Sequence, residues 1–336
     1  MKKSLQGYSS YEIIRELAAG GMGSVAQAKL KGVEGFEKVV AIKTLLPRYA
    51  NDQEFVKRFV FEAKLVANLV HENIVQIYQL NKIDNEYFFV LEFVDGISLY
   101  DFIEFHRVME RRLPTQLAVF IASRAARALA YAHSRRDPDG APLNIIHCDI
   151  CPHNILINKE GVPKITDFGI AKAATLKKSN VISGKLAFMS PEQCHSPWKI
   201  TFASDIYSLG VVLFYMLSNH YTRDVHADKN AIIEQIRNNY VNYSALPDDL
   251  PDALLTILRK MLATDPADRY ESCADLAREL EYYIYKDGYG PTIVSLADYM
   301  KDFMPGRFAQ HHAEIHKTRL IAPANSNTET AVLDGE

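Results

Sequence analysis

The stretch I-I-H-C-D-I-C-P-H-N-I-L-I, residues 145–157, concentrates side chains that can do chemistry. Cys148 and Cys151 stand in C-x-x-C spacing with His147 and His153 just outside it, the ligand types of a metal or redox site. Asp149 and Asn154, in the same stretch, offer a carboxylate and a carboxamide, oxygen donors suited to Mg²⁺ and to proton transfer. The two chemistries exclude one another.

The residues downstream favour the oxygen donors. N-I-L-I-N-K-E-G-V-P-K-I-T-D-F-G places two short apolar strands around the turn-like cluster Asn158-Lys159-Glu160-Gly161. If those strands pair, Asn154 and Asp167 meet at the open end as Mg²⁺ ligands, with Asp149 upstream to orient a hydroxyl and accept its proton. A zinc site would need a second ligand pair, and Cys194 and Cys273 are isolated. A thioredoxin-like site would open a helix after a strand, whereas Pro152 precedes Asn154 and another strand.

Two further features suit a phosphate ligand. In L-A-A-G-G-M-G-S-V-A-Q-A-K-L, Gly20, Gly21 and Gly23 fall in a turn between two strand-like runs, where backbone N–H groups can approach a phosphate. An ordinary flexible hairpin gives the same pattern. A following strand, in place of a helix, disfavours a dinucleotide fold or Walker loop. Lys43 sits in the apolar run K-V-V-A-I-K-T-L and needs an anionic partner if buried. Phe55, Phe59, Val66 and Leu69 recur at helical spacing, and Glu62 continues their stripe. A Lys43–Glu62 pair accounts for both charges and leaves Lys43 able to orient a polyphosphate, although a boundary glutamate reaching solvent is the plain alternative.

Elements of two kinds must position these residues. Residues 11–94 read mostly as strands (YEIIREL, VAQAKL, KVVAIKTL, NIVQIYQL, EYFFVLEFV) with one helical stretch, and residues 95–285 as long helices with one hairpin. The expected domains are an N-terminal extension (1–10), a sheet lobe (11–94), a helical lobe (95–285), a helical extension (286–316) and a disordered tail (317–336), the last polar and aperiodic. The amphipathic S-L-A-D-Y-M-K-D-F-M in the extension is expected to pack on the helical lobe, with partner docking as the other use. The 336 residues carry a formal net charge of −3, so no global basic field points to nucleic acid or anionic lipid. The apolar run at 209–217 is too short to span a bilayer and reads as a buried helix. The N-terminus lacks a secretory pattern, and four cysteines are too few for a disulfide scaffold, so a cytoplasmic protein is expected.

In order along the chain, A-A-G-G-M-G-S-V (18–25), V-A-I-K (40–43), Glu62, H-C-D-I-C-P-H-N (147–154), D-F-G (167–169) and S-P-E (190–192) resemble the protein-kinase signature set. The wording G-G-M-G and M-S-P-E-Q is similar to bacterial eukaryotic-like (Hanks-type) Ser/Thr kinases. The resemblance covers about Tyr11 to Tyr283. It implies an α+β, two-lobed fold: a small antiparallel β-sheet lobe with one key helix, and a larger, mainly helical lobe. It also implies transfer of the γ-phosphoryl group of Mg-ATP to Ser/Thr hydroxyls of proteins, with autophosphorylation, in signalling; Mn²⁺ is a possible substitute. By the same resemblance, Asp149 is the base, Lys43 holds the α- and β-phosphates anchored by Glu62, and Asn154 and Asp167 bind the metal. The nucleotide-binding set is Leu17, Ala18, Ala19, Gly20, Gly21, Met22, Gly23, Ser24, Val25, Ala41, Lys43, Leu91, Glu92, Val94, Leu156 and Asp167. Within it Leu91 is the gatekeeper, Glu92 to Val94 meet adenine through their backbone, and Val25, Ala41 and Leu156 sandwich the ring. Glu192 pairs with Arg269, His147 packs on Phe168, and Asp205 opens the helix that supports the loop.

Three positions depart from the family. Ala18 replaces the first loop glycine, a mild change. Cys148 stands where the arginine of H-R-D commonly meets an activation-loop phosphate, so activity without loop phosphate is expected. Cys151 replaces a lysine that stabilises the transferring group; Lys185 is expected to restore that cation, against the reading of a solvated loop lysine. The competing functions are a pseudokinase acting as a nucleotide-binding scaffold, the zinc or redox module, and a small-molecule phosphotransferase. S-P-E and the loop before it favour protein substrates.

Overall fold

The computed structural model describes residues 10–19, 23–45, 56–57, 60, 63–64, 66–83, 86–168, 186–195, 200–306 and 319–321. The chain forms two compact units: Met1–Val56 with Ile77–Phe93 and Ala313–Glu336, and Lys57–Gln76 with Val94–His312.

The first unit is an antiparallel sheet. Its strands are β1 (Ser10–Ala19), β2 (Gly23–Lys31), β3 (Glu37–Leu45), β4 (Ile77–Ile83), β5 (Glu86–Glu92) and β9 (Arg319–Ile321), in the order β4-β5-β3-β2-β1-β9. Period-two alternation sorts the side chains. Tyr11, Ala28, Val40, Ile42, Phe88 and Val90 build a buried cluster. The register sets Val25 opposite Lys43 and Lys43 opposite Phe89, and Ala41 opposite Leu91. Directly paired residues share a face, so Val25, Ala41, Lys43 and Leu91 gather on the face away from that cluster. Gly23 answers a local steric demand: a Cβ there would lie 1.9 Å from the Thr44 carbonyl oxygen. The tail was expected to lack order, yet Arg319–Ile321 pair with Tyr11, Glu12 and Ile13 on β1. An open sheet edge can recruit a short segment, here Arg319-Leu320-Ile321, that carries no recognisable strand pattern of its own.

The second unit is mainly helical: α1 (Leu99–Val108), α2 (Thr115–His133), α3 (Pro191–His195), α4 (Phe202–Ser218), α5 (Lys229–Arg237), α6 (Asp252–Met261), α7 (Cys273–Tyr285) and α8 (Ile293–Phe303). A small sheet, β6 (Gly96–Ser98), β7 (Ile155–Asn158) and β8 (Pro163–Ile165), lies among them in that order. The apolar run expected as a buried helix is α4, buried from Ala203 through Ser218 and started by a capping box of Thr201 and Ser204. No helix of the described residues is long and apolar enough to cross a membrane. The segment before β4, expected with the sheet, groups here. Its end is fastened to the hairpin: the Val75 N–H donates to the Ile165 carbonyl at 2.8 Å, and Asn73 Nδ2 to the Pro163 carbonyl at 2.8 Å.

Helix α8 packs within this unit, as its amphipathic sequence predicts. Leu296, Ala297 and Met300 are buried, each large side chain worth about 1.5–3 kcal/mol on burial. Phe303 stacks on His106 of α1 with ring centroids 4.2 Å apart, and Tyr299 shares a 2.9 Å hydrogen bond with His106 Nε2. Gly161, at the tip of the β7–β8 turn with φ +80°, lies so close that a Cβ would sit 2.0 Å from the Ile293 carbonyl oxygen.

Candidate active site

The β7–β8 hairpin pairs Ile155 with Ile165, Leu156 with Lys164 and Ile157 with Pro163. Its open end continues one residue further, where the Thr166 N–H donates to the Asn154 carbonyl at 2.9 Å. This register brings Asn154 and the start of Asp167 to the same end, as the turn chemistry predicts. The Asn154 side chain is nearly buried, and its Nδ2 donates to the Asp149 carbonyl at 2.8 Å. That bond assigns the amide nitrogen to the loop and turns the carboxamide oxygen to the other side. A carboxamide oxygen and a carboxylate at one hairpin end form a hard-donor pair, which fits a divalent cation of the Mg²⁺ type and not a thiophilic one.

His147 joins the loop to the segment holding Asp167. Its Nδ1 accepts the Asp149 N–H at 3.2 Å, so Nε2 carries the proton and donates to the Thr166 carbonyl at 3.0 Å. Burial holds the imidazole below its usual pKa, against the pull of Asp205 and Asp149, and a neutral ring is what this one-donor, one-acceptor pattern requires. The ring lies 4.7 Å from that of Phe168, as expected. With both nitrogens engaged, His147 is not a metal ligand, which removes one of four residues from the zinc reading. His153 stacks on Tyr100 at 4.0 Å, Cys151 is fully buried, and among the described residues neither Cys148 nor Cys151 is in a disulfide.

The loop is clamped from below. Asp205, buried in the first turn of α4, accepts the His147 N–H at 2.8 Å and the Cys148 N–H at 2.9 Å, while His133 Nε2 lies 2.8 Å from its Oδ2. Gln193 Nε2 donates to the Cys148 carbonyl at 2.9 Å. Cys148, at φ 60°, and Asp167, at φ 59°, adopt left-handed backbone that costs a side-chain-bearing residue about 1–2 kcal/mol. Sequence reasoning found Asp205 but missed Gln193, whose only signal is its place one residue after Glu192. Glu192 forms the expected buried pair with Arg269, at 2.7 Å and 3.0 Å, and also accepts from Ser204 Oγ.

Of the other expected residues, Leu17 and Ala18 end β1, with Ala18 opposite Val25 and Ala19 opposite Ser24. Leu91 is buried and Glu92 closes β5, while Val94 and Leu156 belong to the second unit. Gly20, Gly21, Met22, Glu62 and Lys185 lie outside the described residues, and with them the Lys43–Glu62 pair.

Comparison with known proteins agrees with this arrangement. The family described as "Protein kinase domain" matches residues 11–280. The chain is 35% identical over 305 residues to the tyrosine-protein kinase MasK of Myxococcus xanthus, covering 88% of this chain and 46% of that protein. It is 34% identical over 274 residues to the serine/threonine-protein kinase PrkC of Bacillus subtilis, covering 81% and 40%. It thus spans less than half the length of either relative. The crystal structure of the Mycobacterium tuberculosis PknI kinase domain superposes with a TM-score of 0.61 at 25% identity, covering 84% of this chain and 99% of that one. A sheet unit, a helical unit and an ordered set of motifs thus meet in one assignment: the chain belongs to the protein kinase family, with strong homology to the bacterial Hanks-type Ser/Thr kinases.

Proposed function

We propose that the chain is an active protein kinase that transfers the γ-phosphoryl group of Mg-ATP to serine or threonine hydroxyls of proteins. The observation that carries this reading is the hairpin register, which brings Asn154 and Asp167 to one end while the Asn154 side chain holds the Asp149 backbone. Asp149 is the base: it orients the substrate hydroxyl and takes its proton as that oxygen bonds to the γ-phosphorus and the bond to the leaving ADP oxygen breaks. Asn154 and Asp167 would hold Mg²⁺, which neutralises charge on the phosphate oxygens when bound. Lys43 binds the α- and β-phosphates, anchored by Glu62, and the glycine turn covers them through backbone N–H groups. Neutral His147 fixes the spacing between the Asp149 loop and the Asp167 segment, because a proton on Nδ1 would break its bond to the Asp149 N–H.

Cys151 leaves the transferring phosphoryl group without the usual cation, and Lys185 supplies it. Cys148 carries no charge to meet a loop phosphate, so the unphosphorylated protein is active. The test is labelling of the protein and a general substrate with Mg-ATP, followed by phosphoamino-acid analysis. Asp149→Asn abolishes labelling, and Lys43→Met does the same. Lys185→Met lowers turnover; turnover equal to wild type refutes its compensating role. Removal of all loop phosphate by a phosphatase, verified by mass spectrometry, leaves activity; an inactive phosphate-free sample refutes that part. Phosphotyrosine is the second reading, favoured by the similarity to MasK, a tyrosine-protein kinase by name, and by the absent loop lysine, and the same hydrolysate decides between them.

A further inference from the structure

A peptide plane has one carbonyl and one N–H, and the plane between Cys148 and Asp149 is held by both. Its N–H donates to His147 Nδ1 at 3.2 Å, and its carbonyl accepts from Gln193 Nε2 at 2.9 Å. The plane is bonded to the Asp149 Cα, so its tilt sets the direction in which the carboxylate points. Cys148 leads into it at φ 60°, the small left-handed region that a side-chain-bearing residue keeps only where its surroundings over-determine it. Gln193 is one of the groups that do so.

The Gln193 amide is itself oriented by Ser190. Its Oε1 accepts the Ser190 N–H at 2.8 Å and the Ser190 hydroxyl at 3.2 Å. Exchanging the amide oxygen and nitrogen would set an NH₂ group against the Ser190 N–H and an oxygen against the Cys148 carbonyl, so one orientation alone fits. Ser190 is fully buried and Gln193 is 7% exposed, so a bond lost here is not replaced by one to water. The Gln193 bond runs to a backbone carbonyl and is indifferent to the side chain at position 148. It joins the Asp149 loop to the S-P-E segment through a neutral amide, a link that involves no phosphate and no arginine.

Resting on the reading of Asp149 as the base, we propose that Gln193 is a positioning residue for phosphoryl transfer, which aims Asp149 by holding the carbonyl of the peptide before it. Steady-state kinetics of the full chain with Mg-ATP and myelin basic protein, beside hydrogen exchange at the Asp149 amide, test it. Gln193→Glu keeps the acceptor for Ser190 and sets a carboxylate oxygen against the Cys148 carbonyl. Gln193→Met removes both bonds at nearly the same size and gives the answer where Gln193→Glu does not fold. Each variant lowers kcat about tenfold or more, the worth of a buried carbonyl left unpaired, and leaves KM for Mg-ATP within about twofold. Each also speeds exchange of the Asp149 amide. Arg237→Gln is the control for mere loosening of α3: Arg237 holds the Cys194 carbonyl, one residue beyond Gln193, at 3.2 Å and 3.3 Å. It lowers the melting temperature and leaves kcat unchanged. A kcat for Arg237→Gln as low as for the Gln193 variants overturns the proposal. So does wild-type kcat in the Gln193 variants beside an inactive Asp149→Asn. A wild type that transfers no phosphate to itself or to the substrate, or an Asp149→Asn that still transfers it, overturns the kinase reading and the proposal with it.

Discussion

Replacing Gly161 with alanine tests whether α8, which lies beyond the family match at residues 11–280, sets the geometry of the catalytic hairpin. Gly140 supplies the control. Both glycines have left-handed backbone, φ +80° at Gly161 and +86° at Gly140, so alanine costs each about 1–2 kcal/mol in backbone strain. They differ in what the new methyl meets. At Gly140 nothing lies within 4 Å, whereas at Gly161 the methyl falls 2.0 Å from the Ile293 carbonyl oxygen and 2.7 Å from the Ala297 nitrogen. Both atoms are helix backbone and cannot rotate aside, so the turn and α8 must separate. Overpacking of this kind costs a further ~1–3 kcal/mol. Gly161→Ala therefore loses about 2–5 kcal/mol and Gly140→Ala about 1–2. In a domain of this size each kcal/mol moves the melting temperature by about 2–4 °C. The assay is paired thermal and urea unfolding of both variants, with turnover measured well below the transition. Turnover should fall only for Gly161→Ala, because its turn is joined to Asn154 by β7 and to Asp167 by β8. Equal destabilisation of the two variants, or an unchanged turnover for Gly161→Ala, would refute the claim that α8 braces the hairpin.

Three other outcomes follow from the site. Glu192 titrates below its ordinary value: burial raises its pKa, but the Arg269 guanidinium and Ser204 outweigh it. A depressed folded pKa contributes stability that is present above the unfolded value near 4.5 and lost as pH falls through the folded value, so Glu192→Gln flattens the acid limb of a stability–pH curve. The same variant at pH 7 costs about 3–5 kcal/mol by stranding the Arg269 charge, read by urea unfolding. Asp205→Asn keeps one acceptor oxygen for the two N–H groups of His147 and Cys148, so turnover falls at least tenfold while nucleotide affinity, measured by calorimetry, changes little. Thiol labelling of the native protein reaches Cys148 first and spares Cys151 and Cys273, which are buried, while all four react in denaturant; labelling of Cys151 at the rate of Cys148 would contradict the burial.

Much of the fold was legible because it is local. Alternation marked the sheet strands, the 158–161 cluster fixed the hairpin, and the register followed from its length, placing Asn154 beside the Asp167 segment. Glu192 and Arg269, though 77 residues apart, were found only through the family resemblance. What the sequence hides is long-range fit. Gly161 reads as a turn glycine, but its second requirement comes from the Ile293 carbonyl oxygen. Gly23 reads as a ligand-approach glycine, and the Thr44 carbonyl demands it equally. Cys148 reads as a lost arginine, yet its backbone is gripped from both sides, its N–H by Asp205 and its carbonyl by Gln193. Arg223 gives no signal in a polar loop, because only the folded chain shows that it is buried.

The strand β9 bears on how the protein behaves in concentrated solution. A sheet edge is a template for its neighbours in a crowd, and among the described residues the pairing that covers this one along β1 is at Tyr11, Glu12 and Ile13. Beyond them the pairing of β1 with β2 slips twice, between Ile13 and Arg15 and between Glu16 and Ala18, and charged Arg15 and Glu16 are exposed there. Bulge, charge and borrowed strand divide the edge between them, and each blocks the flat, uncharged run that molecule-to-molecule strand addition needs. Colloidal stability of the first unit is thereby assigned in part to three residues more than 300 positions away from the strand they cover.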